Sequence, residues 1–256
     1  MLEGLSLNTV CREANCPNIG ECFKKRTATF LIMGKNCTRH CRFCNISKEP
    51  AVPLDPNEPE NVAKAAVNMQ LRHVVVTSVT RDDLADGGAQ HFAETTKEIR
   101  KAMPDCTIEL LIPDMGGVQE SLDTIIASNP DIIAHNMETV RRLTPLVRSR
   151  AKYDISLKTI ETVAKSNKSK PKSGLMVGLG ETPEEVVQTM DDLRAVGCKV
   201  LTIGQYLQPT RKHLPVSEFI SPDQFKEYKR IGLEKGFEFV ESGPLVRSSY
   251  RAERHV

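Results

Sequence analysis

Six of the eight cysteines fall in one short stretch near the start of the chain, in two groups of three. The first triplet is Cys11, Cys16 and Cys22, and the second, in the sequence CTRHCRFC, is Cys37, Cys41 and Cys44. Thiolates held close together repel one another unless a cation neutralises them, so metal binding is the first interpretation. Three ligands are one short of a closed zinc site or a fully protein-ligated four-iron cluster. Each triplet therefore leaves one coordination position for another ligand.

Length, charge and the opening residues limit the classes of protein to consider. The 256 residues carry a formal charge of +2, which gives no indication of nucleic-acid binding. The opening MLEGLSLNTV lacks the pattern of a signal peptide, and no apolar run is long enough to cross a bilayer. We therefore expect a cytoplasmic protein with reduced thiols and no membrane or nucleic-acid partner. Cys106 and Cys198, which stand alone, are expected to be small buried hydrophobes.

Strand-like and helix-like segments alternate after the cysteines. Short β-branched or apolar runs predict six buried strands, at residues 28–34, 73–80, 107–113, 131–136, 173–180 and 200–207. Helices are predicted at residues 59–69, 90–103 and 118–128, and over 139–165 with an interruption at Pro145. Thr182 and Glu185 have the spacing of a capping box, which predicts a helix up to Gly197. A helix from Pro222 and one further strand at residues 237–244 complete the pattern.

Such an alternation implies right-handed βαβ crossovers and a parallel sheet. An open doubly wound sheet and a partial barrel both fit it. In either arrangement the loops after the strands collect at one rim. The second cysteine triplet, the RDDLADGG loop and the His135–Asn136 pair should therefore meet at a single mouth.

The CxxxCxxC loop directly after the first predicted strand is similar to the cluster-binding loop of the radical S-adenosylmethionine (SAM) superfamily. In that superfamily three cysteines hold a four-iron cluster, and the amino and carboxylate groups of SAM chelate the remaining iron. Phe43 matches an aromatic position that lies near the adenine. The alternative is a zinc knuckle with a distant fourth ligand such as His40, which would indicate an adaptor or a nucleic-acid-binding module.

The first triplet narrows the resemblance. Cys11, Cys16 and Cys22, combined with RSSY at residues 247–250, resemble the lipoyl synthases within that superfamily. The similarity extends over essentially the whole chain from Cys11 onward, through RDDLADGGA, ELLIPD, AHNMETV, SGLMVGLGET, QYLQP and SGPLVRSSY. Ten residues precede Cys11, where the family usually has a longer arm that helps to cover the site. Another radical SAM sulfur insertion or oxidation is the alternative within enzymes.

The resemblance implies an α/β fold, a partial (β/α)6 TIM-type barrel with short N- and C-terminal extensions. Residues 1–27 would be an extension that carries the first triplet. Residues 28–210 would form the radical SAM barrel, and residues 211–256 an extension with the RSSY motif.

The resemblance also implies two 4Fe–4S clusters and SAM as cofactors. Cys37, Cys41 and Cys44 would hold the cluster that binds SAM. An auxiliary, sulfur-donating cluster would be held by the first triplet and a serine of RSSY, for which the family pattern favours Ser249 over Ser248. The implied reaction inserts two sulfur atoms at C6 and C8 of a protein-bound octanoyl-lysine. Because these C–H bonds are unactivated, a radical initiator is needed, and the protein supplies orientation and exclusion of water.

Four polar residues in or after predicted strands are further candidates for facing SAM together with Phe43. They are Asp82, Asp83, Glu109 and Asn136. Helix capping or solvation of a loop is the alternative for each of them.

The resemblance implies three partners. They are an octanoylated lipoyl-carrier protein (a lipoyl domain or the glycine-cleavage carrier), an electron donor, and an iron–sulfur carrier that rebuilds the sacrificed cluster. Two basic runs, residues 141–150 and 165–172, either form solvated surface or dock an acidic carrier.

Overall fold

A computed structural model of the protein describes residues 7–13, 18, 20, 27–148 and 150–255. These residues form one sheet of eight strands, in which the order across the sheet equals the order along the chain. The strands are β1 (Asn8–Thr9), β2 (Thr27–Ile32), β3 (His73–Ser78), β4 (Thr107–Leu111), β5 (Ile132–Ala134), β6 (Lys170–Val177), β7 (Val200–Gln205) and β8 (Phe239–Gly243).

The order of the strands decides between the two folds that the sequence left open. Strands β2 to β8 pair in parallel with their neighbours, whereas β1 pairs with β2 antiparallel. A doubly wound sheet reverses its strand order at a switch point, and no reversal occurs within the described sheet. Successive right-handed crossovers then lie on the same outer side, as in a TIM barrel. The prediction of a partial barrel is confirmed, and β1 and β8 form the two edges of its sheet.

The helices of the described residues largely match the predicted ones. In chain order they are α1 (Val10–Glu13), α2 (Glu58–Asn68), α3 (Ala89–Ala102), α4 (Gln119–Ala127), α5 (Thr144–Val147), α6 (Tyr153–Ser166), α7 (Pro183–Ala195) and α8 (Pro222–Glu234). Helix α7 has the predicted capping box, in which the Thr182 side chain accepts from the Glu185 N–H and the Glu185 carboxylate accepts from the Thr182 N–H. Both bonds satisfy backbone donors that a helix start leaves free, so they fix where α7 begins.

The helical prediction over residues 139–165 was wrong in its details. Pro145 does not interrupt a helix there but lies in the first turn of α5, where its missing N–H costs no hydrogen bond. The break comes instead between α5 and α6, where the Arg148 side chain turns inward and donates to the carbonyls of Asn136 and Met137. These bonds connect the α5–α6 segment to the loop after β5.

The expectation that residues 165–172 form a basic, solvated or docking surface is wrong for Lys172. Strand β6 begins at Lys170, earlier than predicted. The Lys172 side chain is buried, with its ammonium 2.7 Å and 2.9 Å from the two carboxylate oxygens of Glu109. A buried lysine needs a counter-charge, and β4 supplies it across the intervening strand β5.

Two apolar clusters form the core. One is built around β2 to β4 with α2 to α4, and the other around β6 to β8 with α6 to α8. Cys106 and Cys198 are 4% and 0% exposed, which confirms that they are buried hydrophobes. The predicted strand at residues 237–244 is β8, which pairs with β7 and so continues the barrel sheet. Among the described residues, no helix has the length and apolar character needed to cross a bilayer.

Candidate functional site

A cavity of about 550 Å³ lies at the carboxyl ends of the parallel strands. Its wall includes residues from the loops after β2, β3, β4, β5 and β7 and from the C-terminal tail, a name used here for residues 244–255. A single mouth is therefore present, because parallel strands deliver their following loops to one rim, but residues 81–88 of the RDDLADGG loop are not among those that line the cavity.

The second cysteine triplet reaches this cavity on the loop that follows β2. Cys37, Cys41 and Cys44 all line the cavity. The loop is closed on itself by a hydrogen bond from the Cys37 N–H to the Ser47 carbonyl, at 2.8 Å. It is also tied to the loop after β7, since Leu214 donates its N–H to the Arg42 carbonyl at 3.1 Å. The local fold thus holds three thiols on one wall.

The surroundings of the three sulfur atoms fit a metal cluster. Burial, together with the nearby charges of Cys41 and Cys37, raises the pKa of Cys44 to about 12. Burial also raises the pKa of Cys41. The Cys37 sulfur accepts N–H donors from Arg39 and Thr80 at 3.4 Å and 3.3 Å, as a ligand thiolate would. Bare thiolates are disfavoured in this wall, so a cation is needed to stabilise them.

In the described parts of the chain, no group of three or more His, Cys, Asp or Glu side chains has an arrangement that could hold a metal ion. The cluster assignment for Cys37, Cys41 and Cys44 therefore rests on the chemistry of the donor set and on their shared cavity wall.

Arg39, between the first two of these cysteines, fastens the loop to the barrel. Its guanidinium makes two-pronged hydrogen bonds to Asp82, after β3, and to Asp114, after β4, at 2.7–3.2 Å. Burial opposes the ionised form of Asp114, but hydrogen bonding and charge from Arg39 hold its pKa down at about 2. A planar guanidinium can serve two carboxylates at once, which a lysine cannot do with the same geometry.

Groups that could bind a second ligand line the same cavity as the three cysteines. Phe43, Asn136, Glu138 and Arg148 line the cavity. The Asn136 side-chain oxygen Oδ1 is buried without a hydrogen-bond partner among the described residues, while the side-chain N–H₂ donates to Glu138 at 3.1 Å. Burial raises the pKa of Glu138, although the Arg148 charge opposes the shift. An acceptor oxygen, a carboxylate and a guanidinium on one wall suit a ligand that carries both an ammonium and a carboxylate group.

Three of the predicted SAM contacts lie elsewhere. Asp82, Asp83 and Glu109 are not among the residues that line the cavity. Asp82 binds Arg39, Asp83 binds Arg81 at 2.8 Å, and Glu109 binds Lys172. The structure thus brings Phe43 and Asn136 together with the cysteine triplet, and places these carboxylates in ion pairs outside it.

The RSSY segment reaches the cavity beside β2. Ser248 and Ser249 both line the cavity, and the Thr29 hydroxyl of β2 donates to the Ser249 Oγ at 3.0 Å. The tail passes so close to β7 that a Cβ on Gly204 would collide with the Val246 carbonyl oxygen. Glycine is therefore required at this point of β7 for the tail to lie where it does.

Most of the first triplet lies outside the described residues. This is true of Cys16 and Cys22 and of the side chain of Cys11, whose backbone belongs to α1. The neighbouring Val10 lines the cavity, and the Asn18 amide donates to the Leu245 carbonyl at 2.7 Å. The stretch that carries the triplet thus touches both the cavity and the tail that carries Ser249.

Sequence reasoning missed five residues of the site: Thr29, Arg39, Asp114, Glu138 and Arg148. Arg39 was visible inside CTRHC, while Asp114 and Glu138 stand in ELLIPD and AHNMETV, two segments that carried the resemblance. Thr29 and Arg148 gave no signal, because each acts through a partner that is distant in sequence or through the backbone.

Comparisons with known proteins agree with this geometry. A family model described as the radical SAM superfamily matches residues 31–193. The chain is 60% identical to a lipoyl synthase of Bacteroides thetaiotaomicron, over 98% of this chain and 88% of that protein. It is 54% identical to a lipoyl synthase of Treponema denticola, over 98% of this chain and 86% of that protein.

Solved structures at low identity share the fold. Methylornithine synthase superposes with a TM-score of 0.62 at 15% identity, covering 98% of this chain and 83% of that one. Coproporphyrinogen III oxidase from Escherichia coli, a radical SAM enzyme, gives a TM-score of 0.58 at 14% identity, covering 82% of this chain and 53% of that one.

Proposed function

The chain belongs to the lipoyl synthase family of the radical SAM superfamily, and we propose that its cavity holds both iron–sulfur clusters of that reaction. The enzyme is a sulfurtransferase that uses radical SAM chemistry. The observation that carries the two-cluster proposal is that the second cysteine triplet and the RSSY serines line one cavity.

The first proposed assignment concerns the cluster that cleaves SAM. Cys37, Cys41 and Cys44 would hold it, and SAM would occupy the iron that they leave open. A four-iron cluster in this position supplies the single electron that breaks the sulfonium bond. The loop fastened by Arg39 orients the three thiols.

The second assignment places SAM beside that cluster. Phe43 would lie against the adenine. The unpartnered Asn136 Oδ1 would accept a hydrogen bond from an N–H or O–H group of SAM. Glu138 and Arg148 are available to the ammonium and carboxylate groups. Asp82 acts in this proposal through Arg39 rather than on SAM, Asp83 keeps Arg81 in place, and Glu109 neutralises Lys172.

The third assignment is the sulfur-donating cluster. Cys11, Cys16, Cys22 and Ser249 would hold it, and it would supply the two sulfur atoms that reach C6 and C8 of the octanoyl chain. The contact between Asn18 and Leu245 supports this set, because it joins the stretch of the first triplet to the tail with Ser249. An oxygen ligand binds iron less favourably than a thiolate does, which suits a cluster that must be opened.

The rest of the wall suits an alkyl chain. Leu31, Leu111 and Leu175 contribute apolar side chains from β2, β4 and β6, and Ile112 adds one from the loop after β4. They would orient the octanoyl chain between the two clusters and keep water away from the reacting carbons.

The partners follow from this chemistry as proposals. The substrate is an octanoylated carrier, a lipoyl domain or the glycine-cleavage carrier, and an electron donor and a cluster-repair protein are also required. Of the two basic runs, only residues 141–150 follow β5 at the end of the barrel with the cavity. Residues 165–172 lead into β6 at the opposite end, so an acidic carrier would meet the first run. Reduced thiols are needed throughout, and we therefore propose a cytoplasmic setting.

The test is anaerobic reconstitution followed by turnover with an octanoyl-lysyl peptide, SAM and reductant. About eight irons per chain are expected, four for each cluster. Cys16→Ala should reduce the count to about four and abolish thiolated product while deoxyadenosine still forms. Cys41→Ala should abolish both products. Cys106→Ala, which removes a buried thiol outside the cavity, is the matched control. Lipoyl product from Cys16→Ala would refute the sulfur-donor assignment.

A further inference from the structure

The two serines of the RSSY segment line the same cavity, yet they differ in what they contact. Ser249 Oγ accepts a hydrogen bond from the Thr29 hydroxyl at 3.0 Å. Ser248 also lines the cavity, one residue earlier in the tail. Adjacent residues with similar side chains need a discriminating contact if only one of them is to be used, and Thr29 supplies such a contact to Ser249.

Thr29 is a fixed point in the barrel. It lies in the middle of β2 and is opposite Val75 in the parallel ladder with β3. Its residue is 5% exposed, so the side chain is confined by its neighbours. A β-branched residue in a strand has few side-chain rotamers, and its hydroxyl direction is therefore well defined. The barrel thus presents one oriented donor to the tail.

The tail is held on both sides of Ser249. Before it, Val246 passes against Gly204 of β7, and the Val246 carbonyl accepts from the Arg247 guanidinium at 2.7 Å. After it, Ala252 and His255 are completely buried, and the His255 ring lies 5.8 Å from that of Phe239. The backbone is held before and after Ser249, and between these points the Thr29 hydrogen bond restrains both the Ser249 side chain and the segment that carries it.

We propose that Thr29 is a positioning residue that selects Ser249 and aims its oxygen into the cavity as the ligand of the auxiliary cluster. The hydrogen bond uses one lone pair of the Ser249 oxygen, and a second lone pair remains for iron. Because a serine that ligates iron cannot donate its own proton to Thr29, the bond must run from Thr29 to Ser249. This inference rests on the proposed function, specifically on Ser249 as a ligand.

The test compares four variants of the full-length, anaerobically reconstituted enzyme. Thr29→Val keeps the shape of the side chain and removes the donor, whereas Thr29→Ser keeps the donor. Ser249→Ala and Ser248→Ala distinguish the two serines. Thr96→Val, which makes the same change at a buried threonine of α3 whose hydroxyl bonds within its own helix, is the matched control.

Two readouts depend on the auxiliary site. The first is the ratio of thiolated product to deoxyadenosine, since deoxyadenosine reports the SAM-cleaving cluster separately. Thr29→Val should lower this ratio roughly two- to tenfold, the effect of losing one net hydrogen bond. The second is the Mössbauer spectrum. In Thr29→Val, the signal of the iron that carries the serine oxygen should be partly or wholly lost. Thr29→Ser should restore both, and Ser248→Ala should not share the phenotype of Ser249→Ala.

A third readout requires neither cluster nor turnover. In cluster-free protein, amide hydrogen exchange over Val246–Tyr250 should be faster in Thr29→Val than in the wild type, and should return towards the wild-type rate in Thr29→Ser. A similar rate in all three would show that the contact does not hold the tail.

The outcomes separate this inference from the proposed function. If Ser249→Ala loses product and Thr29→Val matches the wild type, Thr29 has no positioning role. The same conclusion holds if Thr29→Ser is as impaired as Thr29→Val, because packing of the methyl group would then explain the effect. If Ser249→Ala itself makes lipoyl product, the ligand assignment fails, and with it the proposed function as written. Should Thr29→Val fail to fold, Thr29→Ala replaces it in all three readouts, because it differs from Thr29→Ser only by the hydroxyl group.

Discussion

Replacing Lys172 with methionine should destabilise the barrel strongly, because it leaves a buried carboxylate without a cation. The Lys172 ammonium lies 2.7 Å and 2.9 Å from the Glu109 oxygens, and the two side chains are 0% and 1% exposed. His73 Nε2 lies 3.8 Å from the Glu109 carboxylate. Removing one partner of a buried ion pair typically costs about 3–5 kcal/mol of unfolding free energy.

The pKa of Glu109 leads to a similar magnitude. Burial raises this pKa, but Lys172 and His73 together lower it from 4.5 to about 2. At about 1.4 kcal/mol per pH unit, that shift corresponds to roughly 3 kcal/mol of stability. Because the folded pKa is lowered, the contribution is complete above about pH 4.5 and is lost as the pH falls towards 2.

The pH dependence of the variant should differ from that of the wild type. Without Lys172, burial dominates and the pKa of Glu109 rises above its ordinary value. The penalty of Lys172→Met should then be largest near pH 8 and smaller near pH 5, where folding can proceed with a protonated carboxyl group. The free energy of unfolding of each protein is measured at both pH values by urea titration, followed by far-ultraviolet circular dichroism.

The double variant Lys172→Met/Glu109→Leu is the control for this prediction. It removes the isolated charge and should recover most of the lost stability, since apolar pairs often replace buried ion pairs at little cost. A cost below about 1 kcal/mol for the single variant would refute the reasoning. So would a double variant that is as unstable as the single one.

Three further predictions concern the loop, the tail and a helix start. Arg39→Lys should lower the iron content and the yield of deoxyadenosine, because an ammonium cannot bind two carboxylates in the same geometry. Asp82→Asn, which changes the more exposed of the two carboxylates, should have a smaller effect. A wild-type iron count in Arg39→Lys would contradict the proposed role of Arg39. Gly204→Ala should displace the tail and reduce the amount of iron bound at the auxiliary cluster. Gly243→Ala, whose Cβ would make an ordinary 3.5 Å contact, should be tolerated. Equal iron counts in the two variants would argue against a close approach of Val246 to Gly204. Thr182→Ala should lower the unfolding free energy by about 1 kcal/mol in urea titrations, and no change would mean that the capping box contributes nothing.

The sequence was sufficient for those parts of the fold that follow from local pattern. The capping box at Thr182 and the burial of Cys106 and Cys198 required only neighbouring residues and hydrophobicity. The order of the strands did not follow from periodicity, since both open folds share the same alternation. The resemblance to a known family predicted the barrel, and the strand order of the sheet confirms it.

The candidate site was predictable where one short motif carries the chemistry. The loop with Cys37 could be identified because its spacing is local. Roles that depend on long-range partners could not be inferred in this way. Glu109 and Asp82 followed strands as cofactor ligands would, yet their charges belong to Lys172 and Arg39. Lys172 looked like part of a polar surface because its counter-charge lies 63 residues away in the sequence.

The hydrogen bond between Thr29 and Ser249 joins residues 220 positions apart. During synthesis, a sheet whose strands follow chain order can grow strand by strand, and Asp82, Asp114 and Leu214, which fasten the cysteine loop, all precede β8 in the chain. Ser249 emerges from the ribosome only after every strand of the sheet. If the proposed ligands are right, the ligands of the radical-generating centre are therefore available during synthesis before those of the sulfur-donating centre.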